Sequence, residues 1–215
     1  MRPFFKYLIV LLPTLIPLSG ALAHPHAFVD IRVEVLFDQE GRITALRQHW
    51  LFDEFYSAYA TDGQDKDGDG KPDQDALDLL AKSNLSNLRD YDYFTLARQN
   101  DAQPAYGLPD NIVSSMRQDR LEMSFTLPFE TPLPLSESPF TYAIFDPSYY
   151  VEMLHVDGND AVIMDGAPTG CDFTLTKPNP DPSVASYAAS LDKTESGGND
   201  LGLSFAEQVT VSCGS

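Results

Sequence analysis

Two of the four histidines in the chain stand almost together, in the tripeptide His24-Pro25-His26. Imidazole nitrogens are common ligands of zinc, copper and nickel. If processing made His24 the first residue, its α-amine and imidazole would chelate one ion, and His26 would add a third nitrogen. Pro25 has no amide N–H, so the amide-nitrogen chelation of ordinary copper-binding N-terminal tripeptides is blocked. The tripeptide therefore predicts a transition-metal site built from amine and imidazole nitrogens.

The remaining histidines are His49 and His155. In a hairpin that turns at Gln39-Glu40, paired residue numbers sum to about 79. This register places His49 about 13 Å along the ladder from the partner of His26. His155 could enter the same site from another strand. Two other interpretations stay open: N-terminal histidines without a role, and a buried, hydrogen-bonded His49.

An acidic loop supplies a second set of candidate ligands. Residues 65–73 read DKDGDGKPD, which matches the first half of an EF-hand calcium loop. Position 12 departs from the pattern because it is Ala76, so that Asp75 or Asp78 would have to substitute. The alternative is a solvated acidic turn. The predicted calcium ligands are Asp65, Asp67, Asp69, the Lys71 carbonyl and Asp73.

The chain contains two cysteines, Cys171 and Cys213. If the chain is exported, an even number of cysteines favours a disulfide. A thiolate metal site is the alternative, but two cysteines this far apart lack a metal-binding spacing. We therefore predict a disulfide between Cys171 and Cys213.

The N-terminal residues predict export. Arg2 and Lys6 precede an apolar run over 7–18, and small residues stand at Ala21 and Ala23. This layout is typical of a secretory signal peptide over 1–23, with an uncleaved signal anchor as the alternative. Cleavage would make His24 the first residue and would place the protein in the periplasm.

Removal of 23 of the 215 residues would leave 192 residues, a length that suggests one domain over 24–215. It would also take the formal charge from −18 to −20. So acidic a surface disfavours nucleic acid and anionic lipid and attracts cations. No later stretch is apolar enough to span a membrane.

The elements that must position these residues follow from periodicity. Alternation over 27–37 predicts a strand, and a turn at 38–41 leads to a partner strand over 43–52. Asp53 is suited to cap a short helix, and leucines at a 3-4 spacing predict a helix over 76–88. The fold class is therefore α+β, a mostly antiparallel β-sheet with a helix–acidic loop–helix insertion at about 53–90. Further strands are expected at 93–98, 111–118, 121–129, 140–145, 150–155, 171–176 and 208–213, and a mobile loop at about 178–200.

Six segments in order along the chain resemble the domain-of-unknown-function family 1007. They are HPHAFVD at 24–30, HWLFDEFYS at 49–57, DGDG at 67–70, YDYF at 91–94, FDPSYY at 145–150 and GAPTGC at 166–171. Members of this family are often labelled periplasmic components of an uncharacterised ABC-type transport system. The resemblance implies a role in nickel, cobalt or zinc handling.

The leading hypothesis is a periplasmic accessory protein that binds Zn²⁺, Ni²⁺ or Co²⁺ and passes it to an inner-membrane metal transporter. The predicted ligands are His24 and His26, with His49, Asp146 or His155. A calcium-stabilised interaction module is one alternative, and a copper histidine-brace oxidoreductase is another. We expect no enzyme, because the chain carries no nucleophile elbow, phosphate-binding loop or dinucleotide fingerprint.

Overall fold

The computed structural model describes residues 24–135, 138–192 and 195–214. The signal peptide predicted at 1–23 lies outside the described residues. The described part contains ten strands and three α-helices. In chain order the strands are β1 (Ala27–Phe37), β2 (Arg42–Phe52), β3 (Thr95–Gln99), β4 (Asp110–Arg117), β5 (Arg120–Pro134), β6 (Phe140–Ile144), β7 (Val151–His155), β8 (Val162–Asp165), β9 (Cys171–Thr176) and β10 (Gln208–Cys213). The helices are α1 (Glu54–Thr61), α2 (Gln74–Leu88) and α3 (Pro182–Ser190).

Two sheets form the framework. The first has the order β4-β5-β2-β1-β7, and β8 also pairs with β1. The second has the order β3-β6-β10-β9. Apolar residues from both sheets and from α2 belong to one buried core, so the sheets face each other across it. The α+β class and the helical insertion between early strands are confirmed.

The β1–β2 hairpin is shifted by two from the register that we predicted. Arg32 is paired with His49 and Val29 with Phe52, so paired residue numbers sum to 81 rather than 79. The turn is centred later because the Asp38 amide donates to the Arg42 carbonyl, and Gly41 adopts a φ of +74°. As a consequence, His49 lies farther from the N-terminal histidines than expected.

On the side away from β2, strand β1 pairs in parallel with β7 and β8. Ala27 faces Val151 and Ile31 faces His155 in the β1–β7 ladder, and β8 extends the same edge. A parallel pair needs a crossover connection rather than a tight turn. Here β6 of the second sheet precedes β7, so the chain crosses between the sheets before it returns to β1. This pairing places residue 150 beside the start of β1.

The helical insertion begins where we predicted. The Asp53 carboxylate accepts hydrogen bonds from the Phe55 and Tyr56 amides through Oδ1 and from the Phe28 amide through Oδ2. This N-cap satisfies otherwise unpaired helical donors and joins α1 to β1. In α2 the apolar face is buried in the core through Ala76, Leu77, Ala81 and Leu85.

The loop that we expected at 178–200 is wrong over 182–190, where the chain is helical. It contains α3, which begins after Asp181, whose carboxylate accepts a hydrogen bond from the Ser183 amide. The helix buries Ala188 in a small apolar cluster with Tyr149 and Leu191. Proline in the first helical turn fits the helix start, because its missing N–H would have no partner there. Residues 193–194 lie outside the described part.

Two further differences concern strands. We did not predict β8, a short strand in a Gly- and Asp-rich region. The strand expected at 93–98 begins instead at Thr95, because residues 92–94 have positive φ angles at the end of a 3-10 turn. Among the described residues, no helix is long and apolar enough to cross a membrane.

Candidate metal sites

The N-terminal histidines gather at the start of the β1–β7 pairing. The His26 amide donates a 2.8 Å hydrogen bond to the Tyr150 carbonyl. The ring centroids of His24 and His26 are 4.7 Å apart, and the Tyr150 ring lies 4.7 Å from that of His26. The structure therefore brings the two predicted imidazoles together and adds an aromatic ring beside them.

The His24 imidazole is buried without polar partners. Residue His24 is 5% exposed, and neither Nδ1 nor Nε2 has a hydrogen-bond partner in the part of the chain that the structure describes. Buried polar atoms in folded proteins are nearly always paired. A metal ion bound to one ring nitrogen would supply such a partner. The donor set, two adjacent imidazoles, fits zinc, copper and nickel.

Asp146 has a positioning role in the loop before β7. Its Oδ1 accepts hydrogen bonds from the amide and hydroxyl of Ser148, and its Oδ2 accepts from the Val151 amide at 3.0 Å. The carboxylate thereby holds the turn that carries Tyr150 to the histidine pair. We predicted Asp146 as a metal ligand. In the structure, both of its carboxylate oxygens instead accept hydrogen bonds from the nearby residues Ser148 and Val151.

His49 lies elsewhere on the first sheet. It is opposite Arg32, six residues along β1 from His26, which corresponds to about 20 Å. Its Nε2 lies 3.0 Å from Glu34 Oε1, and Glu34 also binds Arg47. The structure therefore does not bring His49 to the N-terminal pair, and the two-residue shift of the hairpin increases the separation.

His155 is also separate from the N-terminal pair. It is opposite Ile31, five residues along β1 from His26, or about 17 Å. Glu207 Oε2 accepts hydrogen bonds from both the His155 amide, at 2.7 Å, and Nδ1, at 2.9 Å. Both side chains are buried. The predicted contribution of His155 to the N-terminal site is therefore not supported by its position.

Opposing effects act on the pKa of Glu207 in this buried pair. Burial alone would raise the pKa of Glu207, but the hydrogen bonds from His155 and the charge of Lys177 hold the pKa below its usual value of 4.5. Sequence reasoning missed Glu207, because it is 52 residues from its partner and carries no local motif. The pair connects β7 of the first sheet to the chain entering β10.

The acidic loop between α1 and α2 contains residues 65–73, and its own carboxylates accept hydrogen bonds from its backbone amides. Asp65 accepts hydrogen bonds from the Gly68 and Gly70 amides, and Asp69 accepts one from the Lys71 amide. Ligand atoms of Asp65, Asp67 and Asp69 lie within 4.8 Å of one another, the one such group of three His, Cys, Asp or Glu side chains among the described residues.

The rest of the predicted calcium set is less complete. Asp73 is absent from the group of three, and its Oδ2 accepts a hydrogen bond from the Lys66 amide. Ala76 at position 12 is buried in α2. Asp78 Oδ1 accepts a hydrogen bond from Gln74 within the same helix. The arrangement therefore provides three converging carboxylates and no acidic side chain at position 12.

The predicted disulfide between Cys171 and Cys213 is confirmed. The two residues are directly opposite each other in the β9–β10 ladder. The bond closes the segment that contains α3 and the 3-10 turn Gly202–Phe205. Phe205 in turn stacks on Tyr149, with ring centroids 3.9 Å apart. The segment closed by the disulfide therefore packs against the loop that precedes Tyr150.

Comparison with known proteins relates the chain to proteins of unknown function. A family model described as "Protein of unknown function (DUF1007)" matches residues 9–213. A protein of Haemophilus influenzae named "Uncharacterized protein" is 29% identical over 197 residues, which cover 90% of this chain and 93% of that protein. An "Uncharacterized 15.5 kDa protein in trpE 3'region" of Spirochaeta aurantia is 29% identical over 90 residues, 42% of this chain and 64% of that protein.

Proposed function

We propose, from the premise that this chain belongs to the DUF1007 family of proteins of unknown function, that it is an exported transition-metal carrier. It binds Zn²⁺, Ni²⁺ or Co²⁺ at His24 and His26 in the periplasm and passes the ion to an inner-membrane transporter. The observation that carries the proposal is the buried His24 imidazole, whose two nitrogens have no hydrogen-bond partner among the described residues.

The ligand set suits transfer better than permanent storage. Structural zinc sites are closed by four protein ligands. Here two imidazoles come from one short segment, and export would add the α-amine of His24. Such a set leaves coordination positions for water or for a ligand of the receiving protein. After removal of residues 1–23 the formal net charge would be −20 (12 basic against 32 acidic residues), which raises the local concentration of cations around the protein.

The first prediction concerns the two imidazoles. In protein processed to begin at His24, His24→Ala and His26→Ala should each lower affinity for Zn²⁺ or Ni²⁺ by more than roughly tenfold, because removal of even a supporting group beside a ligand costs 10–100-fold. Calorimetry with zinc, nickel, cobalt and copper measures the loss. One extra residue before His24 should also weaken binding, because it moves the free amine away.

His49→Ala is the matched control, because it removes a histidine that pairs with Glu34 on the first sheet. It should leave the affinity unchanged. If the double variant lacking His24 and His26 imidazoles bound metal as tightly as the wild type, the carrier proposal would fail. Copper binding followed by peroxide-driven oxidation of an added substrate would instead favour the oxidoreductase alternative.

A second candidate function rests on the converging carboxylates of Asp65, Asp67 and Asp69. Mutual repulsion of three carboxylates within 4.8 Å favours a divalent ion, and oxygen ligands suit Ca²⁺. In this case the protein is a calcium-stabilised interaction module. The missing acid at position 12 places the expected dissociation constant at about 10⁻⁴ to 10⁻³ M.

The second prediction follows from this loop. At calcium concentrations about tenfold above the dissociation constant, the free energy of unfolding should rise by about 1.4 kcal/mol, because the ion binds only the folded state. Thermal denaturation with and without calcium measures the rise. Replacing Asp67 and Asp69 together by alanine should abolish it.

The matched control replaces Asp157 and Asp160, two exposed acids in the β7–β8 connection. This variant carries the same change in net charge and should keep the full calcium response. A wild-type melting temperature that is indifferent to millimolar calcium would remove the calcium site. A response that is lost in both double variants would indicate a general charge effect.

A further inference from the structure

A cavity of about 150 Å³, half open to solvent, lies between the inner face of the first sheet and the C-terminal end of α2. Its floor is buried and includes Trp50, Phe52, Met123 and Met153. Its rim is partly exposed and includes Tyr56 and Asn84. The candidate metal ligands of the N-terminal pair do not line it, so the cavity is separate from the site proposed above.

The floor offers nothing to hold water. Its side chains are aromatic rings and thioethers, and the Trp50 Nε1–H is already donated to Gln48 Oε1 at 3.0 Å. A well-held water needs two to four polar partners. The floor does not supply them, so replacement of water there by an apolar group is favourable. The floor therefore favours an apolar occupant.

The rim adds polar groups at one end. Tyr56 comes from α1 and Asn84 from α2, and both side chains line the cavity. Burial raises the pKa of Tyr56, which keeps the phenol protonated and able to donate. Among the described residues, no charged side chain lines the cavity. A ligand with one neutral polar group could place it at this rim, whereas an anion would meet no cation.

We propose that the cavity binds a neutral single-ring phenol. A volume of about 150 Å³ matches one benzene-sized ring, as in the engineered apolar cavity of another protein that takes up benzene. Trp50 and Phe52 offer edge-to-face ring contacts, and Met123 and Met153 offer sulfur–aromatic contacts. The ligand hydroxyl lies at the rim with Asn84. This inference does not depend on metal binding.

Trp50 makes the proposal directly measurable, because it is the one tryptophan in the chain and forms part of the floor. Phenol or p-cresol, titrated into the full processed protein, should cause a saturable change in tryptophan emission and raise the melting temperature. Calorimetry should give the same dissociation constant. Benzoate, which has a similar ring but a negative charge, should cause no saturable change.

Three variants separate the cavity from other causes. Val151→Phe places a larger side chain on the cavity wall and should abolish the saturable change, whereas Val113→Phe, on the exposed face of β4, should leave it unchanged. Asn84→Ala should weaken phenol binding about two- to tenfold while benzene binding stays the same, because only phenol loses a neutral hydrogen bond. A linear response in folded wild-type protein, or equal affinity in Val151→Phe, would overturn the proposal.

Discussion

Loss of the Cys171–Cys213 disulfide should lower the free energy of unfolding by about 4 kcal/mol. The two cysteines are 42 residues apart, and a cross-link over such a loop restricts the unfolded chain by about this amount in the loop-entropy model. The bond also joins the ends of β9 and β10 and encloses α3. Its removal should therefore free a segment that packs behind the loop carrying Tyr150.

The measurement is thermal denaturation of a variant with both cysteines replaced by alanine. For a domain of this size, a loss of about 4 kcal/mol corresponds to a melting temperature lower by roughly 10 °C. Reductant should produce a similar decrease in the wild type. It should produce no decrease in the double variant, which therefore controls for other effects of the reductant. A melting temperature within about one degree of the wild type would show that the disulfide contributes little to folding stability.

Glu207→Ala should lower the free energy of unfolding by about 3 kcal/mol. One carboxylate oxygen accepts two hydrogen bonds from His155, through the backbone amide and through Nδ1. The side chains of His155 and Glu207 are 0% and 5% exposed, so water cannot replace the lost acceptor. Alanine would leave two buried donors unpaired and a small void between the sheets.

Glu207→Gln separates the hydrogen bonds from the charge. The amide oxygen can still accept from His155, so the loss should be nearer 1 kcal/mol at neutral pH. Chemical denaturation of both variants measures the difference, and Glu130→Ala, which removes an exposed acid, should change stability little. Equal losses in the alanine and glutamine variants would mean that the charge rather than the hydrogen-bond acceptor stabilises the fold.

The same pair predicts a direction for the pH dependence. The pKa of Glu207 is held below its usual value of 4.5 in the folded protein. A depressed carboxyl pKa contributes stability that is fully present above the unfolded pKa and is lost as pH falls through the folded pKa. The advantage of the wild type over Glu207→Gln should therefore shrink below about pH 4.5. An advantage that grows in acid would contradict the lowered pKa.

Short-range patterns in the sequence determined the local parts of this structure. Alternation over 27–37 specifies β1, since successive side chains of a strand face opposite sides. Asp53 caps α1 because its carboxylate reaches amides two and three residues ahead. The aspartates of the acidic loop converge because their spacing is that of one tight turn. Because the chain contains two cysteines, a single intramolecular disulfide was possible.

Tertiary structure decided which distant residues meet. The spacing of His24 and His26 indicated a shared site, but the Tyr150 ring and the burial of His24 depend on the parallel pairing of β1 with β7. A two-residue shift in one hairpin and the strand order of the first sheet put His49 and His155 elsewhere. Neither the hairpin register nor the strand order can be read from residue types alone. The register depends on details of the turn, and a parallel neighbour can come from any later strand.

The partner of His155 and the cavity beside Trp50 show the same limit. Glu207 meets His155 because β10 of the second sheet is brought opposite β7, and no local pattern marks a contact over 52 residues. The space beside Trp50 depends on how far α2 stands from the sheet, a distance set by all the side chains between them. Local geometry thus determines elements and turns, whereas contacts between elements depend on packing that the whole chain determines together.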